Sequence, residues 1–154
     1  DIVVSEMGSG KLLRLSGDKL DQQSVLAEGL QGPVQMIRGR DGSIYLTEVA
    51  GFLTRVDPAT GKLERLVSDL QLPEGLSETA DGKFVVAEGA TKRLLLIDPT
   101  SGEKSVLASD LPIGFPAGPG MPPTGIPTGV AVAENGTIYF SSDIDNGLYQ
   151  LTPK

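Results

Sequence analysis

The sequence predicts an all-β fold: a β-propeller of four-stranded antiparallel blades, with about three and a half blades in the chain. Three observations predict it. A segment of about 40 residues recurs. Each copy is broken by tight-turn dipeptides into short alternating stretches, and repeats of this length built from short strands are the mark of propeller blades. Helix signals are scarce, because Gly or Pro interrupts the chain before apolar residues can establish an i, i+3, i+4, i+7 spacing.

The copies align element by element. The clearest are GPVQMIRGRDGSIYLTEVAGFLTRVDPATGKLERLVSDL and LPEGLSETADGKFVVAEGATKRLLLIDPTSGEKSVLASDL. Each opens on an alternating stretch that ends at Asp41-Gly42, Asp81-Gly82 or Asn135-Gly136. These dipeptides between strand-like runs are strong hairpin signals, since both positions tolerate positive φ. A β-rich strand follows, SIYLTE, KFVVAE or TIYFSS, matched near the N-terminus by DIVVSE. A short loop leads to a third strand, KLLRLS, FLTRVD, RLLLID or GLYQLT. The DPATGK and DPTSGE turns then lead into a fourth strand, with Pro and Gly at positions that suit a hairpin.

The ends are ragged. The first copy lacks its first strand and the last lacks its fourth, so the expected tally is three, four, four and three strands. The predicted divisions are a partial blade over 1–30, blades over 31–70 and 71–111, a Pro/Gly-rich loop over 112–127 and a partial blade over 128–154, all in one propeller segment. A free half ring exposes apolar blade faces and unpaired edges. The expected partner is therefore the remaining blades, from another chain or fragment, or a second copy of this chain. The start at Asp1, where the other copies have a tight turn, points to an internal cut.

Composition narrows the function. At 154 residues the chain is long enough for a real core, burying roughly 70% of its unfolded surface if it closes alone. A net charge of -7 provides no basic surplus for phosphates, so no nucleic-acid partner is expected. It suits a solvated surface and a cation or cationic ligand. No apolar run approaches the roughly 18 residues of a membrane span, so no membrane partner is expected. A soluble protein, secreted or periplasmic in type, fits, although with no signal peptide and no Cys the compartment is unreadable. The absence of both His and Cys removes Ser-His-Asp triads, thiol nucleophiles and the usual zinc ligands.

Meander geometry sorts the loops. The Asp-Gly and Asp-Pro turns share one face, the bottom. The loops after the second strands, and the starts of the innermost strands at Val34, Glu74 and Thr128, share the top. Glu6, Glu48 and Glu88 each end a second strand, and Ser142-Asp143 stands there in the last copy. Two readings fit. The acids form a ring for a cation or polar ligand, or each caps loop amides or pairs with the basic residue that follows it, such as Lys11, Arg55 or Arg93.

Glu74 differs, because its counterparts are Val34 and Thr128. A partly buried carboxylate near the axis suits a metal ligand or a general base with raised pKa, and equally an ordinary turn residue. The segment PIGFPAGPGMPPTGIP carries six Pro and four Gly, and it stretches the turn spacing from 40 residues to 54. It falls on the top face as a lid, a ligand wall or a packing loop, with Phe115, Met121 and Ile126 to bury. Several apparent motifs do not qualify. GSGK and TGK lack P-loop spacing, DIDNG matches only the first half of a calcium loop, and Asn135-Gly136-Thr137 is better read as a hairpin turn than as a glycosylation site.

The stretches PEGLSETADGKFVVAEGATKRLLLID and PTGVAVAENGTIYFSSDIDNGLYQL resemble the six-bladed propeller superfamily of NHL repeats, gluconolactonase-like (senescence-marker-protein) enzymes and strictosidine-synthase-like proteins. The likeness lies in a P-x-G-hydrophobic start, a turn, a strand ending in an acid, and a basic residue before an apolar strand. It covers most of the chain. It implies the C-terminal part of a six-bladed ring and a hydrolase of small lactones or esters with a divalent cation, Ca or Mg, on the axis. The cation's ligands then include the x of P-x-G, here Glu74 and Thr128, with Val34 in the preceding copy. Glu74 is the candidate catalytic residue and cation ligand, and Asp143 the second ligand. Thr128, Phe115, Met121, Glu88 and Glu48 are the candidates for binding a small-molecule ligand. The alternative is a non-catalytic NHL-like module that binds a protein or ligand on its top face.

Overall fold

The computed structural model describes residues 1–114, 118–119 and 128–152. Among them are fourteen strands and no helix. The first sheet holds β1 (Ile2–Glu6), β2 (Lys11–Ser16) and β3 (Gln22–Glu28). The second holds β4 (Pro33–Arg38), β5 (Ile44–Glu48), β6 (Phe52–Val56) and β7 (Leu63–Val67). The third holds β8 (Pro73–Glu78), β9 (Phe84–Glu88), β10 (Arg93–Ile97) and β11 (Lys104–Ala108). The last holds β12 (Val130–Val132), β13 (Ile138–Ser141) and β14 (Leu148–Leu151). Each sheet is an antiparallel meander in chain order. The four sheets are successive propeller blades, the outer two with three strands each.

The blades stack face to face through three apolar clusters. Leu12, Leu30, Leu46 and Val56 join the first two blades. Tyr45, Leu53, Leu76, Phe84 and Ile97 join the second and third. Val85, Leu94, Ile113, Val130 and Phe140 join the third and fourth. Strands β5 and β9 have a neighbour on both faces and are buried along their whole length. They accordingly read as continuous apolar runs, as doubly covered strands do. Strand β1 carries a similar sequence but alternates exposed and half-buried, because only one of its faces meets a blade.

The Asp-Gly and Asn-Gly turns form as hairpins, with one difference from expectation. Gly42, Gly82 and Gly136 have φ near +82°, whereas the residues before them keep negative φ. The N–H of each Gly donates to the carbonyl three residues back, at 2.9 to 3.1 Å. These are three-residue loops, a type I turn followed by a left-handed Gly, rather than two-residue turns with both φ positive. The Asp or Asn side chain is used instead within the turn: Asp41 accepts the Ser43 N–H at 2.9 Å, and Asn135 that of Thr137 at 3.0 Å.

The innermost strands are irregular where they begin. Pro73 pairs with Glu88 and Leu76 with Val86, so Glu74 and Gly75 together oppose Ala87. Pro33 and Met36 frame Val34 and Gln35 in the same way. Such bulges bend a strand and re-aim a side chain. Gly75 sits tight against the fourth blade. A Cβ there would meet the Thr128 carbonyl at 2.5 Å.

Candidate functional site

The bulge at the start of β8 turns the Glu74 side chain inward, and the residue is only 3% exposed. Two neighbouring blades hold it. The Thr47 hydroxyl of β5 donates to the Glu74 carbonyl at 2.7 Å, and the Thr128 N–H donates to Oε2 at 2.8 Å. Thr47 also accepts the Gln35 N–H at 3.3 Å, so one hydroxyl ties the bulges of β4 and β8 together. On the Oε1 side stands Gly89, whose missing Cβ would lie 2.9 Å from that oxygen. A side chain there would press on the carboxylate.

Burial raises the Glu74 pKa above the ordinary glutamate value, and the nearby charge of Asp143 pushes the same way. The Thr128 amide and hydroxyl oppose this by stabilising the ionised form. The hydroxyl acts by proximity: Thr128 Oγ1 is buried and makes no well-aligned hydrogen bond among the described residues. Glu74, Thr128 and Asp143 thus meet at one place, brought there by β8, the entry to β12 and the loop after β13. This arrangement offers oxygen donors of the hard kind that a cation takes.

Glu48 and Glu88 are placed differently, although both are fully buried. Glu88 Oε2 accepts Arg93 Nε at 2.6 Å and the Thr91 hydroxyl at 2.7 Å, while Oε1 accepts the Gln71 N–H at 2.9 Å. Glu48 accepts the Thr54 hydroxyl and the Gln31 N–H, with Arg65 Nε at 3.6 Å. Each carboxylate therefore pins the chain entering its own blade. The pairing with a following arginine holds for Glu88. For Glu48 the partner is Arg65, which also stacks on Phe52 at 4.2 Å, while Arg55 turns to Asp41 and Glu64. Ser142 replaces these acids in the last blade. It donates to the Pro112 carbonyl and accepts the amides of Ile144 and Asp145. Glu6 is exposed and takes a hydrogen bond from Ser9 at 2.7 Å.

Phe115 and Met121 lie outside the described residues. The segment that leads toward them packs against Gly89, the neighbour of Glu74: Ile113 is fully buried, and Gly114 approaches Gly89 so closely that a Cβ would fall 2.0 Å from its carbonyl oxygen. Thr47, Gln35 and Gly89 are site neighbours that sequence reading missed. Gly89 was legible in principle, since Val49 and Asp143 hold its place in the adjoining copies.

No family model matches the sequence, and no curated protein does. Solved structures do match in fold. A virginiamycin B lyase from Staphylococcus aureus superposes with a TM-score of 0.70 at 16% identity, over 97% of this chain and 48% of that one. A putative gluconolactonase gives 0.69 at 19% identity, over 98% and 56%. A gluconolactonase from Xanthomonas campestris gives 0.66 at 22% identity, over 99% and 58%. The shared feature is the propeller fold, and the chain spans about half the length of these structures.

Proposed function

We propose that this chain is the part of a six-bladed ring that carries an axial divalent-cation site, and that the complete ring hydrolyses a small lactone or ester. The observation that carries the reading is the buried Glu74 carboxylate, unique to its blade, bound by Thr128 of the next blade and within reach of the charge of Asp143. The fit to Ca or Mg is partial. Glu74, Asp143 and Thr128 offer oxygen donors of the kind these cations prefer. No group of three or more acidic, His or Cys side chains gathers among the described residues. The other donors would come from the remaining blades.

When bound, such a cation polarises a carbonyl and lowers the pKa of a water. The chain's own residues set the stage. The Thr128 N–H fixes Oε2 of Glu74, and Oε1, which takes no bond from the described residues, is the atom assigned to bind a cation or take a proton from water. A raised pKa suits that second role, since a base works best when its pKa lies near the working pH.

Calorimetric titration with Ca and Mg tests this. The expected result is saturable binding, lost in Glu74→Gln and weakened in Asp143→Asn, with lactone hydrolysis by the complete ring following the same order. A complete ring that binds neither cation rules the hydrolase reading out and leaves a non-catalytic module that binds its ligand on the top face. Native mass tests the partner proposal, which expects the chain to assemble with further blades or with a second copy.

A further inference from the structure

Glu74 sits in the bulge of β8, and two side chains of the second blade act on the backbone of that bulge. The first is Gln35, which stands where the P-x-G of the neighbouring copies has Gly75 and Gly129. Its amide makes a pair of hydrogen bonds from β4 to β8. Nε2 donates to the Leu76 carbonyl at 3.2 Å, and Oε1 accepts the Leu76 N–H at 3.3 Å. The second is Thr47, which is fully buried and donates its hydroxyl to the Glu74 carbonyl at 2.7 Å. Thr47 also accepts the Gln35 N–H at 3.3 Å, so the two act as one unit. Together they grip the chain on both sides of Gly75, where the bulge re-aims the Glu74 side chain. The same grip cannot form between the third and fourth blades. Strand pairing makes Ala87 the counterpart of Thr47, and it has no hydroxyl. Any side chain at Gly75 would begin 2.5 Å from the Thr128 carbonyl oxygen. There Glu74 Oε2 makes the link itself, to the Thr128 N–H at 2.8 Å.

We infer that Gln35 and Thr47 are positioning residues for Glu74: they lock the β8 bulge from the second blade and so set where the carboxylate is presented. A working side chain holds its geometry only when hydrogen bonds and packing fix the groups that support it. Both residues bond to main-chain atoms of β8, so both act on Glu74 through its backbone. Strands β4, β5 and β8 belong to the two four-stranded sheets, and every group of the lock lies in them. The inference rests on the reading of Glu74 as the working carboxylate of the site, and it adds the residues that aim it. The blade before Glu74 thus holds its backbone, and the blade after it holds one carboxylate oxygen.

The test follows the Glu74 carboxyl itself, by carbon NMR titration of the chain with no added cation, the Glu74→Gln spectrum assigning the signal. Gln35→Met and Thr47→Val keep the size of each side chain and remove its hydrogen bonds. In each, the carboxyl is expected to relax toward water and its titration midpoint to fall by about half a unit. Thr47→Ser keeps the hydroxyl and should keep the native midpoint. Ser77→Ala removes a different side-chain link between inner strands, in which the Ser77 hydroxyl accepts the Val132 N–H at 3.0 Å. It should loosen the stack and leave the midpoint where it is. A midpoint that falls in neither Gln35→Met nor Thr47→Val overturns the inference. So does a Thr47→Ser variant that behaves like Thr47→Val, or a Ser77→Ala variant that moves the midpoint as far. If Thr47→Val fails to fold, the half-buried Gln35 decides alone, measured against Ser77→Ala. A complete ring that binds no cation ends the hydrolase reading and leaves this titration untouched, whereas an unmoved midpoint ends the lock and leaves the cation reading standing.

Discussion

Glu88 and Glu74 lie on adjacent strands of one blade, β9 and β8, and both are buried. Glu88 is surrounded: an arginine, a hydroxyl and a backbone amide fill its two oxygens. Among the described residues Glu74 receives one amide hydrogen bond, sits beside a bare glycine and feels the charge of another acid. The first arrangement fills the carboxylate with hydrogen bonds. The second leaves burial as the larger influence, which raises the Glu74 pKa and suits it to a proton or a cation. The acid repeated from blade to blade serves the blade, and the acid that interrupts the repeat is buried without a cationic partner among the described residues.

Substitutions should separate the two. Glu88→Ala should cost the most, about 2–4 kcal/mol in denaturant unfolding. It orphans the Gln71 amide and the Arg93 charge, and the one-third exposure of Arg93 keeps the loss below that of a fully buried pair. Gly75→Ala should cost about 1–3 kcal/mol, because its Cβ would strike backbone at Thr128 and Val130 rather than a movable side-chain end. Glu74→Gln should leave stability unchanged or raise it by up to about 1 kcal/mol. The amide oxygen still accepts the Thr128 N–H, and a buried charge facing Asp143 is gone. A Glu74→Gln variant less stable than Glu88→Ala would reverse the comparison.

The smallest effect is in pH dependence. The folded pKa of Glu74 is raised, so the folded state holds this proton longer than the unfolded state. Its contribution to stability therefore falls as pH rises from the ordinary glutamate value of 4.5 through the raised value, and is level above that. Asp41 has the opposite sign. Burial is its largest single influence and acts upward, but the amide and hydroxyl of Ser43, Tyr45 and Arg55 together lower its pKa. Its contribution is present above 3.8 and is lost as pH falls through the lowered value. The stability difference between Glu74→Gln and the native chain should thus widen in favour of the variant as pH rises from 4.5. A flat difference would mean that Glu74 is not perturbed.

Much of the fold was legible because repetition is a local signal. Asp41-Gly42 and Asp81-Gly82 mark hairpins whatever surrounds them, and runs such as FVVAE carry the pattern of a strand buried on both faces. Glu74 was legible by contrast with Val34 and Thr128. The roles of Glu48 and Glu88 were less so. Sequence offered a ligand ring or a set of caps, and Arg55 stands closer to Glu48 along the chain than the arginine that pairs with it.

By itself the sequence determined the blade: strand order, turn positions and the copy in which an acid departs from the pattern. These follow from backbone preferences and alternation, which act over a few residues. Only the tertiary structure decided which acids are satisfied. Glu74 takes its hydrogen bond from Thr128, 54 residues away, and its repulsion from Asp143 in another blade. Burial and charge act through space, so the carboxylate that one blade supplies becomes a site only where the next blade closes over it.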